Sequence, residues 1–312
     1  MKVKSIRKAY GQALSDYGAS NPNVVVTVAD VSSSVQTSYF AERFPERFFN
    51  VGITEQSLID VSVGFALAGM IPFANTFAVL FLRAAEQIRT CVAYAKTNVK
   101  MVGGYSGLSN FKDGPTHHAD TDIALMRSLP NITVVEASDP IEAKKLVPAV
   151  AEFNGPVYLR MTRADLPVLF DEDYEIEIGK GVIVREGKDV SLIASGVMVF
   201  RCLEASNILA EEGIKACVIN MHTIKPLDAP LVEKVARETG GIVTAQDHSI
   251  IGGLGSAVAE VLGEKYPTPV ERIGIRDTFT ETSLTYEELL DCYGMGVNNI
   301  VEAALKAMKR RK

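Results

Sequence analysis

A glutamate near the start of one helix is the first residue in this sequence that could do acid–base chemistry. Glu55 lies in the segment Phe-Phe-Asn-Val-Gly-Ile-Thr-Glu-Gln (residues 48–56), just after a strand and within otherwise apolar sequence. An acid in the first turn of a helix commonly does no more than favour the helix dipole. A carboxyl in apolar surroundings can instead share a proton with a nitrogen atom of a cofactor. This segment alone leaves both interpretations open.

A second cluster of chemically active residues lies on a turn that contains glycine and proline. Residues 112–120 are Lys-Asp-Gly-Pro-Thr-His-His-Ala-Asp and hold two of the four histidines of the chain, His117 and His118. Metal binding is disfavoured, because side chains at i and i+1 of a helix diverge and because no Cys or Glu lies at ligand spacing. The pattern favours a loop that moves protons and binds hydroxyl groups, since such groups commonly lie on loops.

A third, glycine-rich segment follows a strand and opens a helix. Residues 251–258 are Ile-Gly-Gly-Leu-Gly-Ser-Ala-Val. The dinucleotide-binding pattern fails here, because Val258 stands where a third Gly or Ala is required. The remaining interpretations are a close-packed turn and an anion site at the start of a helix.

These segments belong to an alternation of strands and helices in the first half of the chain. Apolar runs predict strands at residues 24–28, 72–77, 99–102, 132–136 and 157–161. Between them, helical patterns cover residues 54–68, with Thr54 as the N-cap, and residues 83–95, 120–128 and 141–152. Continuous apolar strands separated by helices are typical of a parallel sheet that is covered on both faces.

An acidic, loop-like segment at residues 171–177 interrupts this alternation, and a second series then follows. We therefore predict a first domain over residues 1–170, a linker over residues 171–180 and a second domain over residues 181–312. The second series has predicted strands at residues 190–194, 216–219, 241–245 and 270–275, with helices at 200–212, 230–238, 255–262 and 299–309. The predicted fold class is α/β, with a mostly parallel sheet covered by helices in each domain.

Composition excludes several classes of function. The 312 residues carry 32 basic and 38 acidic side chains, and the net charge of −6 argues against nucleic-acid binding. The four cysteines lie far apart without a CxxC pair, which favours buried thiols and a reducing cytoplasm. Residues 61–82 lack charge and are long enough to span a bilayer. Pro72 would interrupt a helix there, so we predict a buried helix, a turn and a strand instead of a membrane span.

Five motifs in the same order resemble the transketolase family. They are Gly-Ile-Thr-Glu-Gln (52–56), Asn-Thr-Phe (75–77), Asp-Gly-Pro-Thr-His (113–117), Thr-Arg-Ala-Asp-Leu-Pro (162–167) and His-Thr-Ile-Lys-Pro-Leu-Asp (222–228). The resemblance covers nearly the whole chain. It implies a pyrimidine-binding domain with the thiamine-diphosphate-binding fold, followed by a domain like the transketolase C-terminal domain.

The resemblance assigns a cofactor role to residues of the first domain. It implies that Glu55 hydrogen-bonds a ring nitrogen of the aminopyrimidine of thiamine diphosphate and so activates the cofactor. Phe77 matches one apolar wall of the pyrimidine pocket. The next wall position is usually aromatic in the family but falls on Leu80 here, with Phe81 one residue later, so either side chain could pack on the ring.

The resemblance also assigns substrate-binding residues. Asp113 and His117 match residues that contact sugar hydroxyls, and His117 also matches one that helps proton transfer. Arg163 matches an arginine that binds the terminal phosphate of the substrate, and a guanidinium suits an oxyanion. Tyr105 stands where the family commonly has a phosphate-contacting histidine. This departure predicts a substrate with an unusual distal end, such as a branched, sulfonated or otherwise modified sugar.

A partner chain is the last implication of the resemblance. The family carries its diphosphate and metal site in an N-terminal domain marked by Gly-Asp-Gly, a tripeptide that is absent from this sequence. We therefore expect no metal ligand in this chain, Mg²⁺ or Ca²⁺ held mainly by an N-terminal transketolase subunit, and a heterotetramer. The pair would transfer a two-carbon ketol unit from a ketose, phosphorylated or otherwise anionic, to an aldose.

Two alternatives remain from the sequence. The β subunit of a 2-oxoacid dehydrogenase also belongs to an enzyme that is divided between two chains, and it has the same cofactor carboxylate. The Asp-Gly-Pro-Thr-His loop disfavours this alternative. A non-catalytic scaffold or regulatory subunit is disfavoured because Glu55, Asp113, His117 and Arg163 are all present.

Overall fold

The computed structural model describes residues 2–311, and these residues form fourteen strands and twelve α-helices. The strands are β1 (Val3–Ser5), β2 (Val24–Val28), β3 (Phe48–Asn50), β4 (Ile71–Phe77), β5 (Lys100–Gly104), β6 (Thr133–Glu136), β7 (Val157–Arg160), β8 (Asp165–Pro167), β9 (Val182–Arg185), β10 (Val190–Ala194), β11 (Ala216–Asn220), β12 (Thr223–Lys225), β13 (Ile242–Ser249) and β14 (Val270–Ile275). The helices are α1 (Ile6–Ser20), α2 (Ser32–Val35), α3 (Ser38–Arg43), α4 (Glu55–Leu67), α5 (Ala85–Gln87), α6 (Asp122–Ser128), α7 (Pro140–Glu152), α8 (Met198–Glu211), α9 (Ala229–Thr239), α10 (Leu254–Lys265), α11 (Tyr286–Cys292) and α12 (Val297–Lys309).

Seven strands form the larger sheet, in the order β12-β6-β7-β5-β4-β2-β3. Its neighbouring strands are parallel, except that β12 runs antiparallel to β6. Side chains along β4 alternate between two cores, with Phe73 packed on the side of α1 and α7 and Ala74 on the side of α4 and α6. Both faces are therefore buried, which is why β2 is an almost continuous apolar run rather than an alternating pattern.

The second sheet has five strands in the order β14-β13-β10-β11-β9, and only β9 is antiparallel to its neighbour. Helices α8 and α12 pack into the core on one side of it, and α9 and α10 pack into the core on the other. The predicted α/β class, with mostly parallel sheets covered by helices, is confirmed.

The two halves of the chain interlock. Strand β12 comes from the second half but forms the edge of the larger sheet. The Glu142 carboxylate of α7 accepts hydrogen bonds from Tyr174 Oη (3.1 Å), beyond the first half, and from Asn220 Nδ2 (2.8 Å) in the second half. The predicted division at residues 171–180 therefore stays a prediction. Strand β12 follows this linker in the chain but belongs to the sheet of the first half.

Several local predictions need correction. The single helix predicted at residues 83–95 is instead a 3₁₀ turn at residues 78–84, the short α5 and a π-helix at residues 88–94. The Thr54 hydroxyl donates to the Val51 carbonyl (2.9 Å) and does not cap α4 with its side chain. Several shorter strands and helices have no counterpart among the elements predicted from the sequence, namely β1, β8, β9, β12, α1, α2, α3 and α11.

The uncharged stretch at residues 61–82 is divided between α4, a turn at Gly69 (φ +84°), β4 and the 3₁₀ turn. Within residues 2–311, no helix combines the length and the apolar character that a membrane crossing requires.

Candidate active site

Four of the predicted site residues lie where parallel strands of the larger sheet end. Phe77 is the last residue of β4, Tyr105 directly follows β5, and Arg163 follows β7 by three residues. Glu55 begins α4, a short loop after β3. The carboxyl ends of parallel strands meet at one edge of a sheet, and ligands of open α/β sheets bind in the crevice outside that edge.

Glu55 has an unsatisfied buried oxygen. The residue is only 2% exposed, and its Oε2 atom accepts no hydrogen bond from the described residues. Arg83 Nε lies 3.1 Å from this oxygen, which makes an ion pair by distance, but its N–H does not have hydrogen-bonding geometry. A buried carboxylate oxygen without a donor is costly, so this atom fits a donor group from a bound ligand.

The three apolar residues predicted near the cofactor differ in exposure. Phe77 and Leu80 are half-buried, whereas Phe81 is fully buried in the core. The Phe81 ring meets the Tyr158 ring edge-on, with 5.7 Å between centroids. The 3₁₀ turn at residues 78–84 sends neighbouring side chains in different directions, so Leu80 keeps accessible surface while Phe81 packs inward.

Two guanidinium groups lie close to the Tyr105 ring. Its ring stacks on Phe77 (centroids 4.3 Å apart), and the guanidinium carbons of Arg7 and Arg163 lie 5.1 and 5.3 Å from its centroid. Arg7 Nη1 also donates to the Tyr105 hydroxyl (3.0 Å). Neither arginine forms an ion pair with any residue between 2 and 311. Two unneutralised guanidinium groups on one aromatic ring make a good site for an anion.

Arg7 is a site residue that the sequence analysis missed. It lies on α1, 98 residues before Tyr105, and its Nη1 atom also donates to the Ser34 carbonyl (2.7 Å). Its Nε atom donates to the Arg163 carbonyl (3.2 Å), so the two arginines are tied together. Nothing local marks Arg7 in the sequence except a positive charge near the start of a helix.

Asp113 and His117 lie on a loop that starts beside Tyr105. Two backbone hydrogen bonds between Gly107 and Ala119 (3.1 and 2.9 Å) close this loop, and we call residues 107–119 the hydroxyl loop. Asp113 is exposed and His117 is half-buried, with its Nδ1 atom 3.0 Å from Thr116 Oγ1. Both side chains therefore have polar groups free to meet a ligand.

The adjacent His118 has a structural position. It is buried, and its Nδ1 atom lies 2.6 Å from Thr280 Oγ1 in the second half of the chain. Burial lowers its pKa, so His118 is held neutral beneath the loop while His117 faces outward.

The structure thus brings Phe77, Tyr105 and Arg163 into contact. In the described part of the chain, no hydrogen bond or ion pair joins Glu55 or the side chains of Asp113 and His117 to this cluster. Residues 2–311 also contain no group of three or more His, Cys, Asp and Glu residues arranged to hold a metal ion.

The glycine-rich segment forms a close-packed turn. The Leu254 N–H donates to Gln246 Oε1 (2.8 Å), and a Cβ on Gly253 would lie 2.6 Å from the same oxygen. A side chain already takes up this backbone donor at the start of α10, so the close-packed turn is favoured over an anion site.

Comparisons with known proteins agree with this arrangement. The sequence profile of the transketolase pyrimidine-binding domain matches residues 2–168, and that of the transketolase C-terminal domain matches residues 179–300. The chain is 38% identical to the 6-deoxy-6-sulfo-D-fructose transketolase subunit of Clostridium sp. MSTE9, over 98% of this chain and 95% of that protein. It is 34% identical to an apulose-4-phosphate transketolase subunit of Phocaeicola vulgatus, over 97% of each chain.

A solved structure is also similar over the whole length. It is described as a split gene transketolase, inactive beta4 tetramer, and it covers 99% of this chain with 45% identity and a TM-score of 0.93. Since both family profiles match in order and together span most of the chain, this protein belongs to the transketolase family and corresponds to its pyrimidine-binding and C-terminal domains.

Proposed function

We propose that this chain is the subunit of a two-chain, thiamine-diphosphate-dependent transketolase that contributes the cofactor-activating carboxylate. Bound thiamine diphosphate supplies the electron sink for cleaving and forming carbon–carbon bonds next to a carbonyl group. The observation that carries the proposal is the buried Glu55 Oε2 atom without a hydrogen-bond donor. A ring nitrogen of the aminopyrimidine would satisfy this oxygen, and Glu55 would hold and return the proton at that position.

Two apolar residues of the predicted site would exclude water from the reacting centre. Phe77 and Leu80 are half-buried and would contact the pyrimidine ring. Phe81 is left out of this proposal, because its side chain is fully buried against Tyr158. A dry site strengthens the hydrogen bond of Glu55 with its partner, since the local dielectric constant is low.

The other site residues would bind the sugar. Asp113 and His117 would contact its hydroxyl groups, and His117 would move a proton to or from the reacting oxygen. Arg163 and Tyr105, together with Arg7, would hold an anionic group at the far end. The relatives named for a sulfofructose and for apulose 4-phosphate act on sugars with such a group, which supports an anionic and non-standard substrate.

A partner subunit would supply the diphosphate and metal site, with Mg²⁺ or Ca²⁺ held mainly there. Large apolar side chains are exposed around α4, the helix that begins with Glu55: Ile53 is 73% exposed and Leu67 is 76% exposed, and Val61 and Leu82 are also exposed. An apolar surface of this kind beside a site is suited to a subunit interface. The relatives described as subunits, and the beta4 tetramer described as inactive, support an active heterotetramer. The four free cysteines fit a reducing cytoplasm.

A transketolase is favoured over the two alternatives. The relatives reported above are named as transketolases rather than as 2-oxoacid dehydrogenase subunits. A purely regulatory subunit would have no need for a buried carboxylate oxygen without a donor among residues 2–311, or for two arginines beside one tyrosine that have no ion-pair partner in that range.

Calorimetry tests the proposed division between two chains. Thiamine diphosphate with Mg²⁺ is titrated into this chain alone, into the N-terminal transketolase subunit of the same organism alone, and into the mixture. We expect tight binding and ketol transfer only for the mixture, because this chain offers only the pyrimidine end of the site. Tight binding by this chain alone, or a mixture without ketol transfer, would contradict the proposal.

A further inference from the structure

The hydroxyl loop is fastened to a carboxylate of the other half of the chain. Asp247 lies near the end of β13 and is only 3% exposed. Both of its carboxylate oxygens lie within hydrogen-bonding distance of the Leu108 N–H (3.1 and 3.0 Å), and Oδ2 also accepts from the Tyr286 hydroxyl (2.5 Å). Leu108 directly follows Gly107, whose backbone hydrogen bonds with Ala119 close the loop, so Asp247 binds the loop at its base.

The neighbouring glycine allows this close approach. Gly107 has φ +59°, and a Cβ built on it would lie 1.9 Å from Asp247 Oδ2. No side chain fits there, which means that the loop backbone rests directly on the carboxylate. The opposite side of the base is held as well, because Arg160 Nη2 donates to the Ala119 carbonyl (2.9 Å) and to the Asp247 carbonyl (2.8 Å).

The Arg160 guanidinium and two hydrogen-bond donors favour the ionised form of Asp247, whereas burial and the Glu136 carboxylate oppose it. Burial raises the pKa of Asp247 to about 6, while Arg160, the Tyr286 hydroxyl and the Leu108 N–H lower it and the Glu136 carboxylate raises it. At neutral pH the side chain is therefore mainly a carboxylate that accepts from both donors. The second half also contacts the loop further along, since Ser283 N–H donates to the Phe111 carbonyl (3.0 Å).

We propose that Asp247 is a positioning residue for the reaction: it fixes the hydroxyl loop so that Asp113 and His117 meet the sugar. The inference rests on the proposed function of this site. Asp113 is exposed, and among residues 2–311 the His117 side chain has a hydrogen-bond partner only in the adjacent Thr116, so the two side chains have little local support. The anchored base of the loop is then what holds them in place. Small displacements of reacting groups are expensive, on the order of a hundred-fold in rate for about 1 Å.

Asp247→Asn tests this role in the reconstituted two-chain enzyme. The amide keeps the size of the side chain but removes its charge and one of the two oxygens that face the Leu108 N–H, so the hydrogen bonding that holds the base of the loop is weakened. We expect faster amide hydrogen exchange in the peptide covering residues 105–120. We also expect kcat/KM for ketol transfer to fall by about ten- to a hundred-fold, with a fall in kcat contributing to the loss. Exchange of the C2 proton of the bound cofactor should stay at the wild-type rate, because Glu55 begins helix α4 and is not part of the hydroxyl loop.

Glu271→Gln is the matched control. Glu271 is another carboxylate of the second half and lies on β14, apart from the hydroxyl loop. It pairs with Lys306 of α12 (2.8 Å) and with Arg310, directly after α12 (2.5 Å). Its loss should leave loop exchange and ketol transfer unchanged. Tyr286→Phe provides a second test, because it removes one donor to Asp247 while keeping the aromatic ring, and we expect the same pattern at smaller size.

The outcomes separate this inference from the proposed function. Normal ketol transfer in Asp247→Asn, or an equal loss of transfer and of C2 proton exchange, would overturn the positioning role. If Asp247→Asn does not fold, Tyr286→Phe decides by the same criteria. A wild-type pair that transfers no ketol unit contradicts the proposed function itself, whatever the variants do.

Discussion

Removing the Arg163 guanidinium should weaken the binding of anionic sugars and spare small neutral ones. Arg163 is half-buried, and its guanidinium carbon lies 5.3 Å from the Tyr105 centroid and 5.9 Å from the Phe111 centroid. Among residues 2–311, the guanidinium has one long hydrogen bond, to Asn110 Oδ1 (3.4 Å). No carboxylate among residues 2–311 pairs with it. Its charge is therefore available to a phosphate or sulfonate.

The size of the effect follows from the kind of contact. A hydrogen bond between charged partners contributes about 1.5–3 kcal/mol. Losing it in Arg163→Ala corresponds to about ten- to a hundred-fold in kcat/KM. In the proposed site, this contact would lie far from the reacting carbonyl and would be made equally in the ground and transition states, so we expect the loss mainly in KM.

The assay is steady-state ketol transfer by the reconstituted pair with a panel of acceptors. Phosphorylated or sulfonated aldoses are compared with glycolaldehyde, which is too short to reach Arg163. Arg163→Lys keeps the charge but loses the two-pronged geometry, so it should fall between wild type and Arg163→Ala. Arg43→Ala is a control, because Arg43 is a half-exposed arginine of the same half that pairs with Asp16 (3.2 Å) outside the site.

One result would refute this reasoning. If Arg163→Ala slowed charged acceptors and glycolaldehyde by the same factor, Arg163 would not recognise the distal anion. Its contacts with Tyr105, Phe111 and Asn110 would then have a structural purpose only.

Three further predictions concern other parts of the molecule. Glu55→Gln should slow C2 proton exchange and ketol transfer by about 10²–10⁴-fold without preventing assembly; near-normal exchange would give Glu55 another role. Tyr105→His restores the residue usual in the family and should shift the preference among acceptors toward ordinary sugar phosphates, which an unchanged kcat/KM panel would contradict. Burial raises the pKa of Glu142 to about 7, so the folded chain binds a proton that the unfolded chain releases above its ordinary pKa of 4.5. The free energy of unfolding of the wild type should therefore fall as the pH rises from 4.5 to about 7, and Glu142 contributes at most about 1.4 kcal/mol per pH unit to this fall. Denaturant titrations of Glu142→Gln should show a smaller fall over the same pH range, and equal slopes for the two proteins would contradict the shift.

The sequence by itself was sufficient for the fold class and for the family. Apolar runs such as residues 24–28 bury both faces of a strand, so they predict a parallel sheet without any tertiary information. The order of short motifs around Glu55, Asp113 and Arg163 then identified the family, because each motif is local in the chain. Periodicity failed at residues 83–95, where 3₁₀, α and π turns follow one another and tertiary packing decides the helix type.

Only the tertiary structure decided which side chains meet at the site. Arg7 contacts Tyr105 across 98 residues of chain, and Asp247 holds Leu108 across 139 residues, and no local pattern encodes either contact. The sequence also could not decide which of the adjacent residues Leu80 and Phe81 is available to pack on the pyrimidine ring. The structure separates them, because Phe81 is fully buried in the core. Sequence periodicity reports which face of an element is buried, whereas the partner on that face depends on how distant elements pack.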